Sequence, residues 1–548
     1  MTSTFVAGSN PSFARESARL RRAASGYLLA VLSSAAGCRA TATTTPARSA
    51  TTANGPAIAP AMSAITEADL RRDMFAMAGD AMRGREAGTL DEMRATGWIA
   101  EQAREAGLQP AGDDGTFFQW WPMRRTVLSA SSRITVAQRE LQLWKDVVVL
   151  TQGSATVDLP LVFVNDTTGL SSADIRGKAV AMVVSALDTQ PAPRFTIRGN
   201  PQSTTTAMLR QRAAQIARAG AEAAVFVSDD SPGTDQTFNA AAIVASRGPY
   251  AIDSAGGPAG PFARAAQQTA QGGGRGRGNV QTIPTFWLRH ELLDAVKSPS
   301  ARLTASVISE TFHYPSGNVI GIVKGTDPRL TNEYVLYSGH QDHDGVRYPV
   351  EGDSIWNGAD DNASVSVAML AAARAFVRHP AARPILFVWH GAEERGLLGS
   401  RWFVNHPTVP RGQIVAVLNG DMIGRNDPDS AALLGAQPPH RNSIALVEAA
   451  LRANAELTHF KLDTIWDRPT HREGWYFRSD HLPYARAGVP AIMFSTLLHP
   501  DYHTPRDEPS RIDIAKLAKM TRWMYATGWI VANAAQRPDV IPGFKLER

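Results

Sequence analysis

The sequence predicts an α/β fold for the C-terminal half of the chain: a mixed, mainly parallel sheet with helices on both faces. Two observations predict it. From residue 315 onward, short continuous apolar runs alternate with helical segments, without the polar alternation of strands that have one wet face. Most of these runs are followed within a few residues by His, Asp or Glu, as expected where the carboxyl ends of parallel strands form a ligand site.

Strands are expected at 318–323, 334–338, 385–389, 414–418 and 491–495, with helices at 363–378, 397–405, 443–454 and 514–534. Upstream, 90–106 reads as an amphipathic helix: Thr89 and Glu92 have the spacing of a capping box, and Gly107 stops it. A second block, 150–305, opens on strand-like runs at 159–164 and 179–184. It carries a helix at about 205–219, closed by Gly220, and a strand at 223–227. It is read as a β-rich α+β domain inserted into the larger fold. Within it, the run from Gly256 to Gly278 contains Arg275 and Arg277 between glycines. One short copy reads as a loop and not as an RNA-binding segment.

Composition sets the outer bounds. The 548 residues are 44% hydrophobic and 20% charged, enough apolar material for a large core and too much for whole-chain disorder. Lys and Arg number 56 against 51 Asp and Glu, and a net charge of +5 does not argue for nucleic acid. No uninterrupted apolar run of about 18 residues is present to span a membrane.

Residues 1–38 have the order of a secretory signal: Arg15, Arg19, Arg21 and Arg22, then the apolar run from Gly26 to Leu32, then small residues up to Cys38. Small residues before a lone Cys resemble a bacterial lipoprotein signal, although Ala35 stands where Leu is usual. The expectation is export to the periplasm or beyond, with Cys38 the candidate lipid anchor to a membrane. Residues 39–62, rich in Ala, Thr, Ser and Pro, form a linker. The larger fold then comprises 63–149 and 306–548. A single cysteine excludes both a disulfide framework and a thiolate zinc site.

The chemistry lies where strands and helices end. Gly339-His-Gln-Asp-His343, His390-Gly-Ala-Glu-Glu-Arg395, Asn419-Gly-Asp-Met422 and His499-Pro-Asp-Tyr-His503 follow strands, and Gly358-Ala-Asp-Asp-Asn362 precedes a helix. Acidic and imidazole groups converging on one edge repel one another unless cations neutralise them. Mixed His and carboxylate donors without Cys suit zinc, with cobalt or manganese as substitutes. The set is richer than one zinc needs and fits two metals sharing a carboxylate. Alone, an Asp at 360–362 would read as a helix cap and Glu394 as a solvated loop charge. Five coincident signals outweigh those readings.

The strings Ser338-Gly-His-Gln-Asp-His343, Asn357-Gly-Ala-Asp-Asp-Asn-Ala-Ser364, Gly391-Ala-Glu-Glu-Arg-Gly-Leu-Leu-Gly-Ser400, Gly420-Asp-Met-Ile-Gly424, Ser479-Asp-His-Leu-Pro483 and Tyr502-His-Thr-Pro505 resemble, in order and spacing, the motifs of the di-zinc aminopeptidases of metallopeptidase family 28. The block 150–305 is more loosely similar to the protease-associated domain that many members insert. The resemblance implies a zinc-exopeptidase fold and peptide substrates cleaved at the N-terminus. It implies His340 and Asp421 on one zinc, Glu394 and His503 on the other, and Asp361, in preference to Asp360, bridging both. Glu393 would be the general base towards a water bridging the metals. Asp342 would orient His340, and a cis peptide would follow Asp361. Tyr502 is a candidate donor to the tetrahedral oxyanion, or a packing residue. His343, His390, His481 and His499 are read as supporting or structural. Val365 stands where the family usually has Gly.

Other functions compete with this one. A carboxypeptidase of the glutamate-carboxypeptidase type uses the same metal set and needs basic pocket residues, for which Arg425, Arg472 and Arg478 are sources. The complete ligand set and the inserted block argue against a one-zinc glutaminyl cyclase. The intact Glu393 and ligands argue against a non-catalytic receptor-like homologue. No His-Glu-x-x-His or Gly-x-Ser-x-Gly occurs, and His290-Glu-Leu-Leu-Asp294 stops short of a second His.

Overall fold

A ten-stranded mixed sheet forms the centre of the larger fold. Its main strands, in chain order, are β1 (Phe118–Leu128), β2 (Tyr250–Ile252), β3 (Ser309–Val323), β4 (Tyr334–His340), β5 (Ile385–His390), β6 (Ile414–Gly420), β7 (Ser430–Leu434), β8 (Lys461–Asp463) and β9 (Ala491–Ser495). They lie in the order β8-β7-β9-β6-β4-β5-β3-β1-β2, with Gln109–Pro110 paired to β3 off this path. In the middle, β9, β6, β4 and β5 run parallel. Antiparallel pairings to β7 and β3 flank them. The computed structural model describes residues 59–547, apart from 152, 172–173, 186–187, 189–200, 254–281 and 472. The expected signal, most of the linker, Cys38, Arg472 and the glycine-rich run lie outside the described residues.

The parallel strands are apolar throughout because both faces are covered. On one face Tyr337, Phe387 and Leu418 meet Met369, Phe376 and Trp523 from helices Ser364–Arg378 and Ile514–Asn533. On the other, Leu336, Leu386, Val388 and Val417 meet Phe403 and Tyr484 from helices Leu398–Asn405 and His481–Arg486. The expected helix at 90–106 spans Leu90–Glu105, with the Thr89 hydroxyl accepting from Asp91 N and Glu92 N.

Two features depart from expectation. The strand β1, and the extension of β3 back to Ser309, form a long antiparallel ribbon in which Pro122 faces Pro315. Buried and exposed residues alternate along much of β1, so it lacks a continuous apolar run. The second block is an eight-stranded sheet that begins at Arg133, not at 150. The short strands Arg133–Val136 and Val147–Val149 belong to it because of partners far along the chain, Val136 pairing with Leu303 and Val149 with Phe286, and Arg139–Glu140 joins as a hairpin on Arg133–Val136. Such distant pairings leave no local sequence signal. The chain then returns β2 from this block to the edge of the larger sheet, against β1.

Val365, the departure at the start of its helix, is accommodated by two glycines. A Cβ on Gly339 would lie 2.5 Å from Val365 Cγ1, and one on Gly420 would lie 2.9 Å from both of its methyl groups. Gly339→Ala is therefore expected to cost about 1–3 kcal/mol through overpacking. Adding Val365→Ala should recover most of that loss, as read by thermal unfolding of the single and double variants.

The C-terminal segment is tied down by His440, whose Nδ1 lies 2.9 Å from Asp467 Oδ1 and whose Nε2 lies 2.8 Å from Glu547 Oε1. Burial lowers the His440 pKa, but the two carboxylates outweigh it and raise the value above normal. The protonated form is thus favoured in the folded state. Its stabilisation is complete below the ordinary pKa of about 6.5 and is lost as pH rises through the raised folded value. Wild-type stability is expected to fall relative to His440→Gln on going from pH 6 to pH 9, as read by chemical unfolding of both proteins at the two pH values.

Candidate metal centre

The carboxyl ends of β4, β5, β6 and β9 face one edge, and each leads into residues of the candidate site. His340 ends β4, Glu393 and Glu394 follow β5, Asp421 follows β6, and His503 lies beyond β9. Asp361 is delivered from the start of the helix Ser364–Arg378, across a cis peptide to Asn362. The main-chain N–H groups of Asp360 and Asp361 both donate to Asp507, which fixes this turn.

Two donor groups result, each with its ligand atoms within 4.8 Å of one another. One is His340, Asp361 and Asp421; the other is His343, Asp361, Glu394 and His503. Asp361 belongs to both through different oxygens: Oδ1 lies 3.2 Å from His340 Nε2, and Oδ2 lies 3.1 Å from His503 Nε2. Glu394 Oε1 is 3.2 Å from His503 Nε2 and 2.9 Å from His343 Nδ1. Asp360 is in neither group; its Oδ1 accepts the Gly424 N–H at 2.6 Å.

The donor chemistry fits zinc: imidazole nitrogens and carboxylate oxygens, no thiolate, buried except for the partly buried Glu394 and His503. His340 Nε2, both His343 ring nitrogens and Glu394 Oε1 are buried without an aligned hydrogen-bond partner among the described residues. Buried polar atoms are ordinarily satisfied, and unsatisfied nitrogens and oxygens gathered in the two donor groups fit cations. The electrostatics agree. Burial and the neighbouring Asp361 push Asp421 up to about 8. Burial, reinforced by Glu394, Asp480 and Asp421, pushes Glu393 well above the usual carboxylate range, against the attraction of His340. Burial and Glu394 act to raise Asp361, yet His340 and His503 drive it down to about 2. Carboxylates that can ionise only beside imidazolium create demand for positive charge.

The expected supporting roles are refined. The main-chain carbonyl of Asp342 lies 3.1 Å from His340 Nδ1, whereas its carboxylate is 3.7 Å away. That carboxylate instead accepts the N–H groups of Glu393, at 2.9 Å, and Glu394, at 3.3 Å. Asp342 therefore anchors the two glutamates as well as His340. Glu393 stands outside both donor groups, with Oε2 3.9 Å from His340 Nε2. The Tyr502 hydroxyl accepts from Arg478 Nη2 at 2.9 Å, which leaves its own proton free to donate.

The structure also brings His343, whose position suggests a supporting role, into the second donor group. His390 bonds Tyr484, His499 lies 3.4 Å from Asp360, and His481 packs on Tyr476, all outside the groups. Sequence reasoning also misses Arg85. Completely buried, it donates to the carbonyls of Met77, Gln341, Asn357 and Gly358 and so ties together the two loops that carry His340 and Asp361. Burial lowers its pKa to about 10, so it stays charged at neutral pH. An Arg flanked by ordinary loop residues has no sequence signature for this role. Of the basic residues considered for a carboxylate pocket, Arg425 is paired with Asp501 at 2.5 Å and Arg478 with Glu473 at 3.3 Å.

Residues 318–528 match the profile described as peptidase family M28. Leucine aminopeptidase 1 of Trichophyton rubrum is 30% identical over 243 residues, covering 41% of this chain and 61% of that protein. The chain thus spans about three fifths of the length of the relatives it matches. An aminopeptidase from Aneurinibacillus sp. strain AM-1 has a TM-score of 0.53 at 16% identity, covering 90% of this chain and 99% of its own. A zinc aminopeptidase from Bacillus subtilis has a TM-score of 0.53 at 20% identity, covering 88% and 99%. At these identities the likeness is one of fold.

Proposed function

We propose, from the match of residues 318–528 to the profile of peptidase family M28, that the chain is a zinc aminopeptidase with a two-metal centre. The observation that carries the proposal is Asp361, whose two oxygens serve two separate donor groups beside a carboxylate, Glu393, that serves neither. His340, Asp361 and Asp421 would hold one zinc. Asp361, Glu394 and His503 would hold the other, with His343 close by. The chemistry that bound zinc supplies is Lewis acidity, which acidifies water and polarises a carbonyl.

The protein's own groups do the rest. Glu393, held by the Asp342 carboxylate through its N–H, takes the proton of the attacking water and returns it to the leaving amine. Tyr502, its oxygen held by Arg478, donates its free proton to the developing oxyanion. Leu397, Met422, Trp475, Leu497 and Tyr502 belong to one apolar cluster, in which Met422 adjoins Asp421 and Tyr502 adjoins His503 along the chain, and we read an apolar N-terminal side chain as the preferred one. The pairing of Arg425 and Arg478 with acids disfavours a pocket for a C-terminal carboxylate. We read the second sheet as a protease-associated domain, and residues 1–38 as an export signal with Cys38 as candidate anchor.

The test is release of p-nitroaniline from a panel of aminoacyl anilides, with N-acetylated and C-terminally blocked peptides alongside. Free-amine substrates should be cleaved, leucyl before glutamyl or lysyl, and chelation should abolish the activity. Cleavage confined to peptides with a free carboxylate would replace this reading with a carboxypeptidase.

A further inference from the structure

The second block also reaches the candidate metal centre. Helix Pro232–Arg247 ends in Arg247-Gly248, and the chain then enters β2, where Tyr250 pairs with Arg125 of β1. Gly248 has φ +67°, and a Cβ there would sit 1.7 Å from the Thr126 carbonyl oxygen, so no other residue fits this turn. Arg125 Nε donates to the Arg247 carbonyl at 2.6 Å, pinning the same point from the larger domain. The turn directs the Arg247 side chain onto Asp344: Nη1 donates to Oδ1 at 2.9 Å and Nη2 to Oδ2 at 3.3 Å.

Asp344 is completely buried, and its Oδ2 lies 3.0 Å from His503 Nδ1. The opposite nitrogen of His503 points at Asp361 and Glu394. Arg347 and Arg395 also reach Asp344, but at Oδ1, at 2.8 and 3.4 Å. Among the described residues, Arg247 is the guanidinium hydrogen-bonded to Oδ2, the oxygen that faces the histidine. An imidazole that binds metal through one nitrogen is oriented by what accepts the proton on the other. A forked guanidinium fixes the plane of the accepting carboxylate.

We propose that Arg247 is a positioning residue for His503, acting through Asp344, so that the inserted block completes one of the two metal sites. This rests on the reading of His503 as a metal ligand. It also makes the block part of the centre's geometry, beyond any effect on substrate access.

The test is zinc titration of full-length, chelator-stripped protein against a competing indicator, with cobalt absorption as a second readout. Arg247→Ala should weaken one of two zinc sites by about 10–100-fold and alter the cobalt bands, with the other site unchanged. Arg247→Lys, which keeps the charge but not the fork, should recover part of the affinity. Asp344→Asn should weaken the same site, and it decides the question should Arg247→Ala not fold. Wild-type affinity at both sites in Arg247→Ala, or in Asp344→Asn if that is the variant that folds, would overturn the proposal. His503→Ala separates the two readings: if it leaves both zinc affinities intact, the ligand assignment itself fails. If it removes a site while Arg247→Ala does not, only the role of Arg247 falls.

Discussion

Replacing Glu393 by alanine is expected to lower kcat by roughly 10²–10⁴-fold, the usual contribution of a positioned general base, with zinc content unchanged. The separation follows from geometry. Glu394 is inside a donor group and Glu393 is outside both, although they are adjacent and their N–H groups share the Asp342 carboxylate. The neighbouring Glu394, Asp480 and Asp421 strengthen the proton affinity that burial confers on Glu393. A carboxylate of raised basicity is suited to take a proton and hand it on. KM should move little, because no binding contact is removed. Metal analysis beside steady-state kinetics checks this, and an equal loss of zinc would instead make Glu393 a ligand.

Replacing Asp361 by alanine should be more damaging still, since one side chain serves both donor groups. Both zinc affinities are expected to fall by more than the roughly 10–100-fold that follows loss of an outer partner. Asp421→Ala and Glu394→Ala should each impair one site more than the other. Calorimetric titration of the three variants distinguishes a shared ligand from two independent ones, and an Asp361 variant that lost one site only would refute the sharing.

Much of the candidate centre is legible in the sequence because each proposed ligand follows a fully buried parallel strand or precedes a buried helix. Such strands read as continuous apolar runs, so their ends are easy to find, and His340, Asp361, Glu394, Asp421 and His503 stand at or just beyond such ends. What escapes the sequence depends on partners distant along the chain. Strand β1 carries Pro122, Arg124 and Arg125 and pairs with β3 and β2. The start of the second sheet at Arg133 is set by strands near residue 303. His343 follows Asp342, the expected partner of His340, and only the fold turns it towards Glu394. Arg85 and Arg247 act through carbonyls and a carboxylate that the sequence gives no means to pair with them.

The most direct test of a two-metal centre is the zinc stoichiometry of chelator-stripped protein, titrated while leucyl anilide cleavage is followed in the same samples. Two zinc ions bound per chain, with full activity reached only as the second site fills, is the predicted result. Saturation and full activity at one zinc per chain would contradict it.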